Sequence, residues 1–139
     1  MGNNGVGKTR IIKSIKGLEL NKEYEPTHNI STYPLTLTKK GKVYNINIID
    51  TNGDITSHSQ LEQAIKKSSI FIIVFNLIER KTFNYVSKWL EIIRNYIKSE
   101  NDKKIIAILG NKSNLTENHN ICVKKEEGIK FAEKYNSYY

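Results

Sequence analysis

Apolar residues recur along the chain with two different periods, which is typical of a fold that mixes helices and strands. Helical spacing predicts four helices: residues 8–19, 57–67, 81–98 and 124–135. Alternating or continuous apolar runs predict four strands: residues 33–39, 42–50, 69–76 and 104–111. Because strands and helices alternate, the pattern predicts an α/β fold, with a mostly parallel sheet and helices on both of its faces.

The first two predicted strands form a hairpin around the turn sequence KKGK. In the second strand Tyr44, Ile46 and Ile48 alternate with polar neighbours, so one face of this strand is expected to be buried. Pro34 has no N–H to donate to a neighbouring strand. The first strand of the hairpin is therefore predicted to lie at an edge of the sheet.

The two later strands have the sequences SIFIIVFN and KIIAILGN, which are apolar almost throughout. Strands of this kind are expected to be buried on both faces of a parallel sheet. Ligands of such sheets bind at the carboxyl ends of the strands. The loops that follow residues 50, 76 and 111 are therefore the expected place for a functional site.

The first of the chemical motifs is GNNGVGKT at residues 2–9, which fits the phosphate-binding pattern G-x-x-x-x-G-K-[ST] in full. Its three glycines allow backbone N–H groups to face phosphate oxygens, and the helix that follows points its positive end at the same place. Lys8 would add a charge on the β- and γ-phosphates, and the Thr9 hydroxyl would coordinate Mg²⁺. The alternative is a flexible glycine- and asparagine-rich terminus that fits the pattern by chance. Four fixed positions in front of a helix favour the phosphate loop.

Three further motifs follow the loop in order. YEPT at residues 24–27 is similar to a first switch segment, DTNG at 50–53 to the second switch motif D-T-A-G, and GNKSN at 110–114 to the guanine-reading motif N-K-x-D. With these motifs at family spacing, the chain resembles the Ras-like small GTP-binding proteins over essentially its whole length, and Ras proper most closely. The resemblance implies a single G domain over residues 1–139. Its implied fold is the P-loop three-layer sandwich, a mostly parallel sheet with one antiparallel edge strand.

The resemblance also implies a site for GTP or GDP with Mg²⁺. The implied nucleotide-binding residues are Gly2, Asn4, Gly5, Val6, Gly7, Lys8, Thr9, Tyr24, Thr27, Gly53, Asn111, Lys112 and Asn114. The implied metal site consists of Thr9, Thr27 and Asp50, with Asp50 acting through a metal-bound water. The implied catalytic residues are Lys8, Thr27 and Asp54.

Four residues depart from the family pattern. Asp54 stands where the family usually has the Gln that orients the attacking water, which predicts slow hydrolysis. Asn114 replaces an aspartate that accepts two hydrogen bonds from guanine, which predicts weakened GTP binding and a shift toward xanthosine triphosphate. Asn4 stands where Ras proper has glycine and would crowd an incoming arginine finger, and Leu20 replaces a phenylalanine that contacts the base.

The family's first strand would precede the phosphate loop, and its last strand and helix would follow residue 139. The resemblance therefore predicts an incomplete domain, from which the first and last strands are missing. The missing first strand would leave a gap of about 10 Å between the strands at 42–50 and 69–76, with unpaired backbone groups on either side. Two explanations stay open: a fragment or incomplete gene model, and a partner chain that supplies strands.

Composition adds a net charge of +8, from 22 Lys and Arg against 14 Asp and Glu. We interpret this excess as a solvated basic face, and attraction to phosphate ligands or to an acidic membrane surface stays open. No recognition-helix, zinc or aromatic-platform motif accompanies the charge, so no nucleic-acid partner is expected. The single cysteine, Cys122, fits a reducing compartment. The predicted location is cytoplasmic, with peripheral membrane contact open although the chain carries no lipidation motif.

The function that the resemblance implies is a molecular switch that binds GTP or GDP with Mg²⁺ and hydrolyses GTP slowly. Residues 24–38 would present an edge strand to effector proteins by extending the sheet, and exchange and activating proteins are implied as regulators. The alternative is a non-catalytic pseudo-GTPase or truncated relic that acts as an interaction module. Measurable Mg²⁺-dependent nucleotide affinity separates the two.

Overall fold

The computed structural model describes residues 1–20, 23–54, 58–97, 104–115 and 121–139. The elements in chain order are α1 (Lys8–Ile15), β1 (Ser31–Lys39), β2 (Lys42–Asp50), α2 (His58–Lys67), β3 (Ile70–Asn76), α3 (Arg80–Asn84), α4 (Val86–Asn95), β4 (Ile105–Asn111) and α5 (Lys125–Lys134). Each of them falls within a predicted helix or strand or extends one by a few residues at its end. Residues 57 and 98 of two predicted helices lie outside the described residues. None of the described helices is long and apolar enough to cross a bilayer.

Two of the predicted helices differ in extent from the structure. The helix predicted over 81–98 is divided into α3 and α4 at Tyr85, which keeps right-handed helical dihedral angles. The helix predicted over 8–19 ends at Ile15, because Gly17 adopts a positive φ of 65°. The Leu18 N–H then donates to the Lys13 carbonyl at 2.9 Å, a bond that satisfies an open carbonyl at the helix end.

The four strands form two sheets instead of the single sheet that was predicted. β1 and β2 pair antiparallel, from Ser31 opposite Asp50 to Lys39 opposite Lys42. β3 and β4 pair parallel over their full length. Periodicity alone was therefore wrong to predict one continuous sheet, whereas the gap expected between the strands at 42–50 and 69–76 agrees with this separation: among the described residues, no strand joins β2 to β3.

Single residues lie along the outer edges of the β3–β4 sheet. The Met1 nitrogen donates to the Ile72 carbonyl at 2.7 Å, and the Met1 carbonyl accepts from the Val74 N–H at 2.8 Å. On the β4 side, the Tyr138 carbonyl accepts from the Ile108 N–H at 2.7 Å. A single residue pairs with only one or two backbone N–H and C=O groups of a strand edge. This is too few to join the β3–β4 sheet to the β1–β2 sheet. Met1 nevertheless fixes the start of the phosphate loop against the carboxyl half of β3.

The main core lies between one face of the β3–β4 sheet and the helices α2, α3 and α4. Its largest fully buried side chains include Leu61, Ile65, Ile73, Phe75, Trp89, Leu90, Ile93 and Ile108. The opposite face is open toward the amino ends of the strands, where Ile70 and Ile72 are 60% and 50% exposed. The expectation that these strands are buried on both faces is therefore wrong for the first half of β3 and for β4, where Ile105 and Leu109 are exposed.

The hairpin of β1 and β2 turns through two residues with positive φ, Lys40 at 48° and Gly41 at 74°. Two left-handed residues match the twist of the flanking strands, so the turn is tight. Tyr44 and Ile46 are 48% and 40% exposed, whereas Ile48 is half-buried. The expected burial of one face therefore applies only near Asp50, the end of the hairpin that adjoins the loops.

Candidate functional site

The phosphate-loop motif forms a tight turn between Met1 and α1. Its three glycines have positive φ angles, 130° at Gly2, 75° at Gly5 and 96° at Gly7. A Cβ at Gly2 would lie 2.1 Å from the Val74 carbonyl oxygen, and a Cβ at Gly7 would lie 2.4 Å from the side-chain nitrogen of Asn111 at the end of β4. Positive φ favours glycine at both positions, and at Gly2 the close approach of the Val74 backbone requires it as well.

Lys8 folds back over this loop from the first turn of α1. Its ammonium donates to the carbonyl oxygens of Gly2 at 2.7 Å and Asn3 at 3.0 Å. Burial lowers the pKa of Lys8 from its ordinary value of 10.5 to about 8, and the charge of Asp50 acts in the opposite direction. A partly buried ammonium of this kind would be stabilised by an anionic ligand at the loop.

Three oxygen-bearing side chains from different parts of the chain meet beside Lys8. The Thr9 hydroxyl donates to a carboxylate oxygen of Asp50 at 2.5 Å and lies 2.8 Å from the Thr27 hydroxyl. Asp50 is 1% exposed, and its second carboxylate oxygen is buried with no hydrogen-bond partner among the described residues. A buried carboxylate oxygen without a protein hydrogen-bond partner is a place where a water or a metal ion is expected.

The three side chains fit a magnesium ion. Mg²⁺ binds oxygen ligands at 2.0–2.1 Å in an octahedron, whose adjacent ligands are about 2.9 Å apart. The hydroxyls of Thr9 and Thr27 already have nearly this spacing. In the described part of the chain, no three His, Cys, Asp or Glu side chains cluster as a metal site. One carboxylate and two hydroxyls suit an ion that takes its other ligands from phosphate and water.

The second switch motif docks on the phosphate loop. The Gly53 N–H donates to the side-chain oxygen of Asn4 at 3.0 Å. A Cβ at Gly53 would lie 2.2 Å from the Asn4 nitrogen, so only glycine allows this approach. Asp54, the next residue, is exposed. The segment from Asp50 to Asp54 therefore brings both the Asp50 carboxylate and the Gly53 backbone amide beside the loop.

The guanine-motif residues divide into two groups. Asn111, at the end of β4, donates from its side-chain nitrogen to the Val6 carbonyl at 2.8 Å. Lys112 lines the cavity described below. Asn114 lies in a short 3₁₀ turn, is exposed, and is not part of that cavity's lining. The structure thus brings Asn111 and Lys112 to the phosphate loop but leaves Asn114 at the surface.

A cavity of about 360 Å³ opens over the loop and α1. Its lining carries one more cation than acids. The cations are Lys8, Arg10, Lys13 and Lys112, and the acids are Glu23, Glu25 and Asp50. Tyr24 lies at its rim and is 64% exposed. The size lies in the range of small-molecule sites, and the cations suit a phosphorylated ligand.

Arg10 and Lys13 were not predicted as site residues. They follow the loop at a spacing of three, which places both on the same side of α1. The signal was therefore present in the sequence KTRIIK, since the loop and the start of α1 were already placed at the site. It was missed because both residues fall outside the motif itself.

A protein-family model described as the Ras family matches residues 1–139. The match spans the loop, both switch-like segments and the guanine-like motif. Together with the α/β arrangement of helices and strands, it fits a P-loop GTPase fold.

Proposed function

The chain belongs to the Ras family, and from this premise we propose that it is a guanine-nucleotide switch that binds GTP or GDP with Mg²⁺. The observation that carries the proposal is the meeting of Thr9, Thr27 and Asp50 beside the Lys8 ammonium. These residues come from three separate motifs, and their side chains supply the charges and oxygens that a magnesium triphosphate needs.

The chain's own groups have distinct tasks in this proposal. The loop's backbone N–H groups and the Lys8 ammonium bind the phosphates, so Lys8 exchanges the carbonyl oxygens of Gly2 and Asn3 for phosphate oxygens. Thr9, Thr27 and Asp50 would hold Mg²⁺, which when bound neutralises charge on the β- and γ-phosphates. Tyr24 covers the phosphates from the rim of the cavity.

The switch depends on the segment that carries Thr27. A γ-phosphate and its metal would hold Thr27 against the loop, and loss of that phosphate would release the segment. Residues 24–38 include β1, which pairs with β2 on one side and has an open outer edge among the described residues. An effector could extend the hairpin at this edge. Exchange and activating proteins, a cytoplasmic location and peripheral membrane contact belong to the same proposal.

The switch is tested by hydrogen exchange on the full chain loaded with GDP or with a non-hydrolysable GTP analogue. The amides of Tyr24, Glu25 and Thr27 should exchange more slowly with the analogue, because Thr27 is then held by the metal. Equal exchange in the two loaded states would contradict a switch while leaving nucleotide binding intact. An interaction module without nucleotide affinity would not load at all.

Hydrolysis is predicted to be slow because Asp54 lacks an amide donor and brings negative charge toward the transferred phosphoryl group. We expect a single-turnover rate at least about tenfold below the intrinsic Ras rate of roughly 4 × 10⁻⁴ s⁻¹. Asp54→Gln should raise the rate, whereas Asp54→Asn, which removes the charge but keeps the short side chain, should raise it less. A wild-type rate equal to that of ordinary Ras would contradict this prediction.

Nucleotide affinity is predicted to fall as the pH rises above about 8. Lys8 has a pKa of about 8 in the folded protein, and bound phosphate would raise that pKa, so binding takes up a proton at higher pH. The protonated fraction of Lys8 falls about tenfold between pH 7 and pH 9, and nucleotide affinity should fall by a similar factor.

Nucleotide titrations at pH 7 and pH 9 measure this fall in affinity. Lys8→Arg stays charged and should lose this dependence, while titration of the nucleotide affects both proteins equally. Parallel pH profiles for the two proteins would refute the assignment to Lys8.

A further inference from the structure

The Asn4 side chain accepts the hydrogen of the Gly53 amide, the donor that the family resemblance assigns to a terminal phosphate. Its amide oxygen accepts from the Gly53 N–H at 3.0 Å. Gly53 also lies so close to the loop backbone that an added Cβ would be 2.5 Å from the Asn3 carbonyl carbon. The bond therefore joins two segments that are in direct contact, 49 residues apart in the chain.

A side-chain amide oxygen and a phosphate oxygen are alternative acceptors for the same donor. The Gly53 amide carries one hydrogen, and both acceptors require a distance of about 2.7–3.2 Å along the N–H direction. A γ-phosphate that took this hydrogen would displace Asn4, whereas a diphosphate has no oxygen for it. The two classes of nucleotide thus differ in whether they leave the Asn4 bond intact.

We propose that Asn4 is a specificity-determining residue that substitutes for the γ-phosphate at the Gly53 amide. The inference rests on the proposed function, since it concerns the choice between diphosphate and triphosphate. In the nucleotide-free and diphosphate-bound protein, Asn4 holds the segment from Asp50 to Gly53 on the phosphate loop. A triphosphate must break this bond, so Asn4 lowers the affinity for triphosphate relative to diphosphate.

The neighbouring Asn3 provides a matched control. Its side-chain oxygen accepts from the indole nitrogen of Trp89 at 3.2 Å and faces the core instead of Gly53. Asn4 is exposed, so its substitution removes little packing. Changing either asparagine to alanine deletes the same atoms from adjacent positions, but only Asn4→Ala removes the acceptor from Gly53.

The affinity test measures the ratio of triphosphate to diphosphate binding, with a non-hydrolysable GTP analogue and GDP. A neutral hydrogen bond contributes about a fivefold factor to an equilibrium constant, so Asn4→Ala should raise the ratio about fivefold. Asn4→Asp should lower it, because a carboxylate accepts more strongly and repels the γ-phosphate. Asn3→Ala keeps the acceptor at Gly53, so any effect on the loop should change both affinities together and leave their ratio unchanged. An unchanged ratio in both Asn4 variants would overturn the proposal.

A second measurement needs no nucleotide and separates this inference from the proposed function. The Gly53 amide of the nucleotide-free protein should exchange with solvent several-fold faster in Asn4→Ala than in the wild type or in Asn3→Ala. In the Asn4→Ala protein loaded with the GTP analogue, exchange should be slow again. Equal Gly53 exchange in the wild type and Asn4→Ala would refute the contact even if nucleotides bind. Faster exchange in Asn4→Ala without any nucleotide uptake would refute the proposed function and, with it, the role of Asn4 in nucleotide choice.

Discussion

Replacing Lys8 with alanine is expected to weaken GTP and GDP binding by about 100- to 1,000-fold. The ammonium lies among the loop carbonyls, within reach of the place where β- and γ-phosphates would lie. Hydrogen bonds to charged groups contribute roughly 1.5–3 kcal/mol each, and Lys8 would make at least two. Equilibrium titration of a fluorescent guanine nucleotide measures the loss.

A matched control is Lys39→Ala, which removes the same charge from the exposed end of β1. It should change affinity by less than about threefold, because Lys39 is exposed and outside the cavity lining, where its charge is screened by salt. Lys8→Ala should not destabilise the nucleotide-free fold strongly, since burial has lowered the pKa of Lys8 and so disfavours its charge. Wild-type affinity in a folded Lys8→Ala protein would contradict the assigned role.

Replacing Asn114 with aspartate is expected to raise the preference for GTP over xanthosine triphosphate by about 100-fold. The family aspartate accepts hydrogen bonds from the N1–H and exocyclic amine of guanine, whereas Asn114 offers one acceptor and one donor. The donor meets the amine of guanine but matches the carbonyl that xanthine has there. Asn114 is mismatched with guanine at one hydrogen bond, and an aspartate there would be mismatched with xanthine at one. Each mismatch corresponds to roughly 1–3 kcal/mol, and the substitution changes both in favour of GTP.

Competition between the two triphosphates for one fluorescent nucleotide measures this preference. Asn136→Asp makes the same chemical change at an exposed residue in the last turn of the chain and should leave the preference as it is. The Asn114 side chain is exposed and outside the cavity lining, so the test also asks whether the base reaches it. A strong guanine preference in the wild type, unaltered by Asn114→Asp, would remove the hypothesis.

The elements were predictable from the sequence because each depends on local periodicity. The apolar run of β3 indicates a strand, and the glycines of the phosphate loop indicate a tight turn with positive φ angles. Sheet connectivity is not a local property: it depends on which backbone edges meet. Only Met1 pairs with the free edge of β3 among the described residues, so two sheets formed where periodicity predicted one. The early end of α1 at Gly17 was locally encoded and was missed.

The site was predictable to the extent that single motifs encode it. The spacing within residues 2–9 placed Lys8 and Thr9 correctly relative to α1, and the structure adds that Asp50 contacts Thr9. The bond between Asn4 and Gly53 was not predictable, because it requires two loops from distant parts of the chain to dock. Motif resemblance predicts a ligand for each loop, but it does not predict contacts between one loop and another.

The central claim is that the loop over residues 2–9 grips the magnesium-bound phosphate tail of a nucleotide. The most direct test is a calorimetric titration of the full, folded chain with GMP, GDP, GTP and xanthosine triphosphate, each with Mg²⁺ and with a chelator. We predict little binding of GMP, much tighter binding of GDP and GTP than of GMP, and a loss of at least about tenfold when Mg²⁺ is removed from GTP. Failure to take up any purine triphosphate, with or without the metal, would contradict the claim.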